Sequence, residues 1–310
     1  MECLPDIPLL KFHPDTLQYV RETYNLAQPG AMDEAVDILE LWVLKQQHFT
    51  KKDFNRDYLE RTIIRAKGSV ERAKERIDKI CTSRTQVPQF FTDLDPRTPL
   101  LAEAQDAFLP KLTKDNYRIY LINNNVKDFG PEVHEAFYKR FFSMWEYICA
   151  YDYPCGIIII LDFRPTNLFE FTKYLNIADL GHVFNLIFTG YGFRLKGMYM
   201  MTTSKLVDSV LKIFKQVVNK KIADRIQSIK NLEELYDYVD RDILPEEYGG
   251  KEVSITELHK KWIDALDSKE FNAHITNMYQ AKTIEELRMK DGGKSEHLGI
   301  PGTFRALNMD

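Results

Sequence analysis

The chain has 310 residues, 44% of them hydrophobic, 28% charged and 12% aromatic, enough for one large domain or two modest ones around a sizeable core. That composition excludes wholesale disorder, and 42 basic against 46 acidic side chains leave no overall positive excess of the kind nucleic acid attracts. The longest apolar run is far short of a membrane span, the opening MECLPDIPLL lacks the pattern of a secretory signal, and Cys3, Cys81, Cys149 and Cys155 form no CxxC pair or zinc-like cluster. These features lead to the expectation of a soluble cytoplasmic protein with free thiols and no metal.

In chain order, a helix is expected near 14–25, stopping at Pro29-Gly30. A second follows from Met32 to Gln47, where Val36, Leu39, Val43 and Leu44 recur at helical spacing. Asp53 is placed as the cap of a third, DYLERTIIRAK, and Ser69 starts a fourth, SVERAKERIDKICTSR, dense in Arg and Lys. The stretch VPQFFTDLDPRTP reads as a linker, so residues 1–93 form a small all-helical module. Beyond it the pattern changes. Residues 117–122 read as a strand, 131–151 as an aromatic-laden helix, and 156–161 as a strand apolar on both faces. An apolar helix is expected at 173–189 and a third strand at 195–201. A helix at 203–220 follows, with more helix and a short strand up to 239. Strands alternating with long helices define an α/β domain with a largely parallel sheet, residues 94–255, closed by LPEEYGG. Residues 256–310 make up a C-terminal helix, near 254–280, and a tail whose last 30 residues are expected to be partly loose.

Catalytic motifs are missing. The sequence has no GxSxG elbow, no HExxH and no GxxxxGK[ST], and Gly190, Gly192 and Gly197 do not fit GxGxxG. Asp162 reads as a strand-end carboxylate that holds the next loop through backbone N–H groups. The histidines, His182 among them, show no metal spacing. Aromatic side chains crowd 137–163 and 169–193, which suits a large core or a hydrophobic ligand site equally. The reading is therefore a protein without enzymatic activity.

Residues 203–220 are more specific. At ~100° per residue, Leu206, Val207, Val210, Leu211, Ile213, Phe214, Val217 and Val218 fall within an arc of roughly 160°, and the opposite face is almost wholly basic. Between Arg194 and Lys230 the chain carries nine basic residues against two acidic ones. This local excess points to an anionic surface partner, each lysine near an anionic membrane contributing about 1 kcal/mol.

The segments RAKGSVERAKERI, VPQFFTDLDP, GIIIILDF, GYGFRLKGMYMM and DILPEEYGG, in this order, resemble the CRAL-TRIO (Sec14-like) lipid-binding family. The ending GTFRALNMD resembles insect members related to the α-tocopherol transfer protein. The resemblance covers about 30–255 and departs from the family pattern at Gly68 and at Met201–Ser204, which lacks a proline. It implies a lipid-transfer fold, in which a helical N-terminal module precedes a mostly parallel sheet and an amphipathic lid closes an apolar cavity. It places the lid at 203–220 and a phosphatidylinositol bisphosphate cleft at Lys67, Arg194, Lys196, Lys221 and Arg225. Cavity walls are expected from Ile158, Ile160, Phe163, Phe184 and Phe188, and lid contacts from Val207, Val210, Leu211, Phe214 and Val217. The implied protein is a monomeric intracellular carrier of a hydrophobic molecule (tocopherol, retinoid or carotenoid, another terpenoid, or phospholipid). It needs no cofactor and meets phosphoinositide membranes peripherally. The alternative is a lipid-sensing adaptor that transfers no cargo.

Overall fold

The computed structural model describes residues 4–92 and 95–288. Four helices open the chain: α1 (Thr16–Thr23), α2 (Ala31–Lys45), α3 (Arg56–Arg65) and α4 (Val70–Gln86). Ser69 caps α4 by accepting from the Arg72 amide, as its position demands. The α3 cap is Asn55, which accepts from the Asp57 amide, and not Asp53. Asp53 is taken up by Lys51, at 2.8 Å. Residues 87–91 are not a free linker either. Phe90 and Phe91 are buried, Phe90 edge-on to Tyr138 and Phe91 edge-on to Tyr279.

The sheet contains β1 (Ala104–Phe108), β2 (Tyr117–Asn124), β3 (Gly156–Asp162), β4 (Leu195–Met201) and β5 (Ile226–Ile229), ordered in space as in sequence. β1 pairs antiparallel with β2, and all other pairs are parallel. β1 has no apolar alternation to announce it. It is held by buried charge: Asp106 accepts from Tyr120 at 2.6 Å and pairs with Arg140 at 2.8 Å. Burial opposes the Asp106 charge, but Arg140, His259 and Tyr120 outweigh it and hold the carboxyl below the usual carboxylate range.

The crossovers are α5 (Pro131–Tyr151), then α6 (Leu168–Lys173) with α7 (Ile177–Asn185), then α8 (Val207–Gln216) with α9 (Lys220–Ala223). The helix expected at 173–189 is cut because Asn176 caps a new one, and α7 ends in a π-turn, Leu186–Gly190. The helix expected at 203–220 is cut at both ends. Thr202 and Ser204 side chains take the amides of Ser204 and Leu206, and Asn219 caps α9. After β5 come α10 (Leu232–Tyr236), α11 (Ile255–Leu266) and α12 (Lys269–Tyr279). Ser268 caps α12 and so divides the single helix expected at 254–280. Residues 281–288 are not loose. Ala281 is buried, Ile284 N–H donates to the His48 carbonyl, and Arg288 pairs with Asp78 on α4. Cys3 and the 302–310 ending lie outside the described residues; Cys81, Cys149 and Cys155 are buried free thiols.

Parallel strands in sequential order, joined by crossovers of one hand, carry their helices on one face. Tyr120, Ile159, Leu161 and Met198 belong to that face: Tyr120 meets Phe141 and Trp145 of α5. Ile158, Ile160 and Tyr199 belong to the other, where Tyr199 stacks on Tyr238 at 4.5 Å. There Asp162 accepts from Tyr248 at 2.8 Å as well as from the Arg164 amide, so GIIIILDF and LPEEYGG meet in one hydrogen bond. Gly250 permits this turn, since a Cβ there would lie 1.9 Å from the Leu244 carbonyl oxygen.

One buried ion pair joins the three parts of the chain. Arg84 of α4 reaches Glu146 of α5 at 2.9 Å and donates to the Met278 carbonyl of α12 at 2.5 Å, both charged side chains being fully buried. Tyr191 donates to the same Glu146 oxygen at 2.8 Å. Glu146→Ala leaves Arg84 charged and unpaired and is expected to cost about 3–5 kcal/mol in urea unfolding. The double change Arg84→Met with Glu146→Leu should recover most of it. A loss below 1 kcal/mol in the single variant would refute this role.

Candidate functional site

Two features lie on the helical face of the sheet, an apolar cavity and a cluster of cations. The cavity has a volume of ≈ 100 Å³. Its floor is Ile122, Ile159, Leu161 and Met198 from the sheet; its walls come from α5, α6 and α7; its roof includes Phe214 of α8. Three of the side chains anticipated from sequence line it: Phe163, Phe184 and Phe214. Ile158 and Ile160 do not, because the strand presents Ile159 and Leu161 to this face and they point away. Phe188 sits in the π-turn, outside the lining, and packs on the wall residue Phe184, ring centroids 5.7 Å apart.

The amphipathic helix lies with its apolar side inward. Val210 is fully buried and Phe214 nearly so, edge-on to Phe184 at 5.6 Å. Val210 packs beneath the helix without reaching the cavity, and Val207, Leu211 and Val217 are half-buried against the surrounding core. Val217 is the residue at which α8 ends. Lys205, Lys212, Lys215 and Lys220 are exposed. A ten-residue helix with no side-chain N-cap has little stability of its own, so its attachment rests on Val210, Phe214 and the half-buried positions.

The cations gather where the start of α4, the turn before β4 and α9 meet. Lys67 is held below its ordinary value by desolvation, then by Arg194, Lys221, Arg72 and Arg76. Arg76 is pushed down to about 9 by burial and by Arg65, Arg194 and Arg72, against which Glu75 acts only weakly. Three of the five residues that the resemblance implied, Lys67, Arg194 and Lys221, therefore share one electrostatic neighbourhood. Lys196 has its ammonium 4.3 Å from the centre of the Tyr117 ring. Arg225 donates to the Leu195 carbonyl and so braces the strand end.

Arg72 and Arg76 were not anticipated. Their signal was present: an i, i+4 pair on one face of α4, one turn beyond Lys67. Arg76 fits because Gly192 has no side chain, a Cβ there falling 2.0 Å from its Nη1. Nη1 of Arg76 and Nη1 of Arg194 are both buried without a hydrogen-bond partner among the described residues. Arg194 is otherwise oriented by Nε donating to the Cys155 carbonyl at 2.9 Å and by the Tyr24 ring, 4.7 Å away. Lys67 itself has φ of +59°, a left-handed backbone that non-glycine residues adopt at a cost of roughly 1–2 kcal/mol.

A family model for the CRAL/TRIO domain matches residues 105–250. The crystal structure of Sfh5 aligns over 86% of this chain and 98% of its own, at 13% identity and a TM-score of 0.48. No curated protein matches significantly. Residues 105–250 thus form a CRAL/TRIO domain, of a family that in general binds lipids, and the five-stranded α/β sheet lies almost wholly within it. Among the described residues no helix is long and apolar enough to cross a membrane, and no group of His, Cys, Asp or Glu is arranged to hold a metal.

Phe214→Ala is expected to free α8. Loss of the ring should cost roughly 3 kcal/mol and raise amide hydrogen exchange across 207–216 about a hundredfold, with the core strands unaffected. Unchanged exchange in α8 would mean that the helix is not an independently opening element.

Proposed function

We propose that the protein is a non-enzymatic carrier that holds a hydrophobic small molecule beneath α8 and exchanges it at phosphoinositide-containing membranes. The observation that carries the reading is the convergence of Lys67, Arg72, Arg76, Arg194 and Lys221, with two buried guanidinium N–H groups left unpaired. Such an array opposes its own charge, and a multiply charged phosphate relieves it through charge-assisted hydrogen bonds. Lys221 belongs to α9, which follows the lid helix after three residues, so head-group binding and lid movement act on the same short segment. The exposed Lys205, Lys212 and Lys215 add attraction toward the same anionic surface.

The cavity supports the cargo half of the reading. Its wall is almost entirely aliphatic and aromatic, which favours a hydrophobic molecule. At ≈ 100 Å³ it is smaller than the few hundred Å³ of a typical ligand pocket, so loading requires the wall to yield. The roof helix is attached by two buried side chains, Val210 and Phe214, and its outward swing enlarges the space without disturbing the sheet.

Lys67→Ala with Lys221→Ala tests the membrane step, since both side chains are exposed. Two lysines at about 1 kcal/mol each correspond to roughly thirtyfold weaker binding to vesicles containing phosphatidylinositol bisphosphate. Removal of like-charge repulsion should leave thermal stability equal or higher. Transfer of a labelled cargo between vesicles should slow in parallel and weaken with added salt. Equal binding and transfer by the variant would overturn the phosphoinositide reading, and cargo that is held but never exchanged would favour a sensing adaptor.

A further inference from the structure

The cavity wall carries three polar side chains: Asn124, His134 and Tyr138. One of them is engaged elsewhere. Asn124 accepts from the Val126 amide through Oδ1 and from the Thr166 hydroxyl through its carbonyl. Tyr138 is raised to above its ordinary value by burial and by Asp179 on α7. His134 differs. Its ring stacks on Phe129, centroids 6.0 Å apart, and leans on Phe171 at 5.8 Å, and both phenylalanines line the cavity. Its Nε2 is buried and has no hydrogen-bond partner among the described residues. A buried polar atom left unpaired costs about 1–3 kcal/mol and calls for an explanation.

We propose that His134 is the polar recognition residue of the cavity, and that the cargo is an uncharged, long apolar molecule whose single hydroxyl group pairs with Nε2. This rests on the carrier reading above and specifies the cargo it takes. Two features narrow the class. The wall contains no lysine, arginine or carboxylate, so a carboxylate or phosphate drawn into it would stand unpaired in an apolar medium. Burial holds the His134 imidazole below its ordinary pKa, so it is neutral at pH 7 and offers no counter-charge. A neutral imidazole nitrogen is either donor or acceptor according to tautomer, and a hydroxyl satisfies both, whereas a carbonyl oxygen serves only one. The two flanking rings fix the imidazole plane, so the cargo's oxygen has one direction of approach. His134 and Tyr138 are four residues apart on one face of α5, so the bonded oxygen sits against the inner side of that helix with the hydrocarbon along the sheet floor.

The test uses the full chain and three probes of equal length, 1-hexadecanol, hexadecane and hexadecanoate, presented from neutral vesicles, with retention measured by native mass spectrometry. The wild type is expected to retain the alcohol about tenfold better than the alkane, and hexadecanoate least. His134→Phe keeps a ring between Phe129 and Phe171, and should abolish the preference for the alcohol while alkane retention stays the same or rises. His134→Gln should restore part of the preference. Equal retention of alcohol and alkane by the wild type, or a preference that survives in His134→Phe, overturns the proposal while leaving a carrier of apolar molecules intact. Retention of none of the three overturns the carrier reading and this proposal with it.

Discussion

Everything on the helical side of the sheet depends on the Arg84–Glu146 pair. Both charges are withdrawn from water, so removing either partner strands the other, and Arg84 Nε and Glu146 Oε1 already lack a hydrogen-bond partner among the described residues. Here Glu146 takes Arg84 and the Tyr191 hydroxyl on one oxygen, and Arg84 also serves the Met278 carbonyl. The N-terminal helices, the long crossover helix α5 and the C-terminal α12 are therefore fixed to one point. Tyr191 lies beside Gly192 and Arg194, so the same point sets the position of the turn that presents the cation cluster. Arg65 strengthens this junction by donating to the Tyr191 and Cys149 carbonyls.

Rigidity is unevenly distributed as a result. The sheet, α5 and the N-terminal helices are tied by buried charges and large aromatic side chains, and Arg118 with Asp152 adds a second fully buried pair. The lid helix has no comparable anchor. It is attached through Val210, Phe214 and partly buried aliphatic groups, a contact that is non-directional and can be broken without stranding a charge. In the proposed carrier, a membrane interface would replace that apolar contact with another.

The cation cluster obeys a different constraint. Helix α4, the turn before β4 and helix α9 each bring like charges to one place, where burial first and like-charge repulsion second lower the pKa values of Lys67 and Arg76. Folding alone gains nothing from this arrangement. A left-handed backbone at Lys67 and a glycine at position 192 that makes room for Arg76 add to the local constraint. Accumulated local cost of this kind is expected where a charged partner compensates it.

The sequence by itself determined the elements whose signals are local. Ser69 ahead of VERAKERI, the unbroken apolar run of β3, the aromatic α5 and the amphipathic arc of α8 follow from capping, burial on two faces and helical periodicity, and motif order carried the family. Tertiary structure decided what depends on partners distant in sequence. β1 was invisible because buried ion pairs stabilise it in place of an apolar pattern. The choice between Ile158 with Ile160 and Ile159 with Leu161 as cavity floor could not be read from GIIIILD, in which every residue is buried and either parity is equally apolar. The boundaries around α7, α8 and α12 follow short polar caps at Asn176, Asn219 and Ser268, to which apolar periodicity is blind. Arg72 and Arg76 joined Lys67 and Arg194 only when α4 was laid against the turn before β4. His134 became distinct only once the rings around it and the absence of a partner for its Nε2 were known. Local propensity is written in neighbouring residues, whereas strand parity, charge convergence and an unpaired nitrogen are properties of segments brought together by packing.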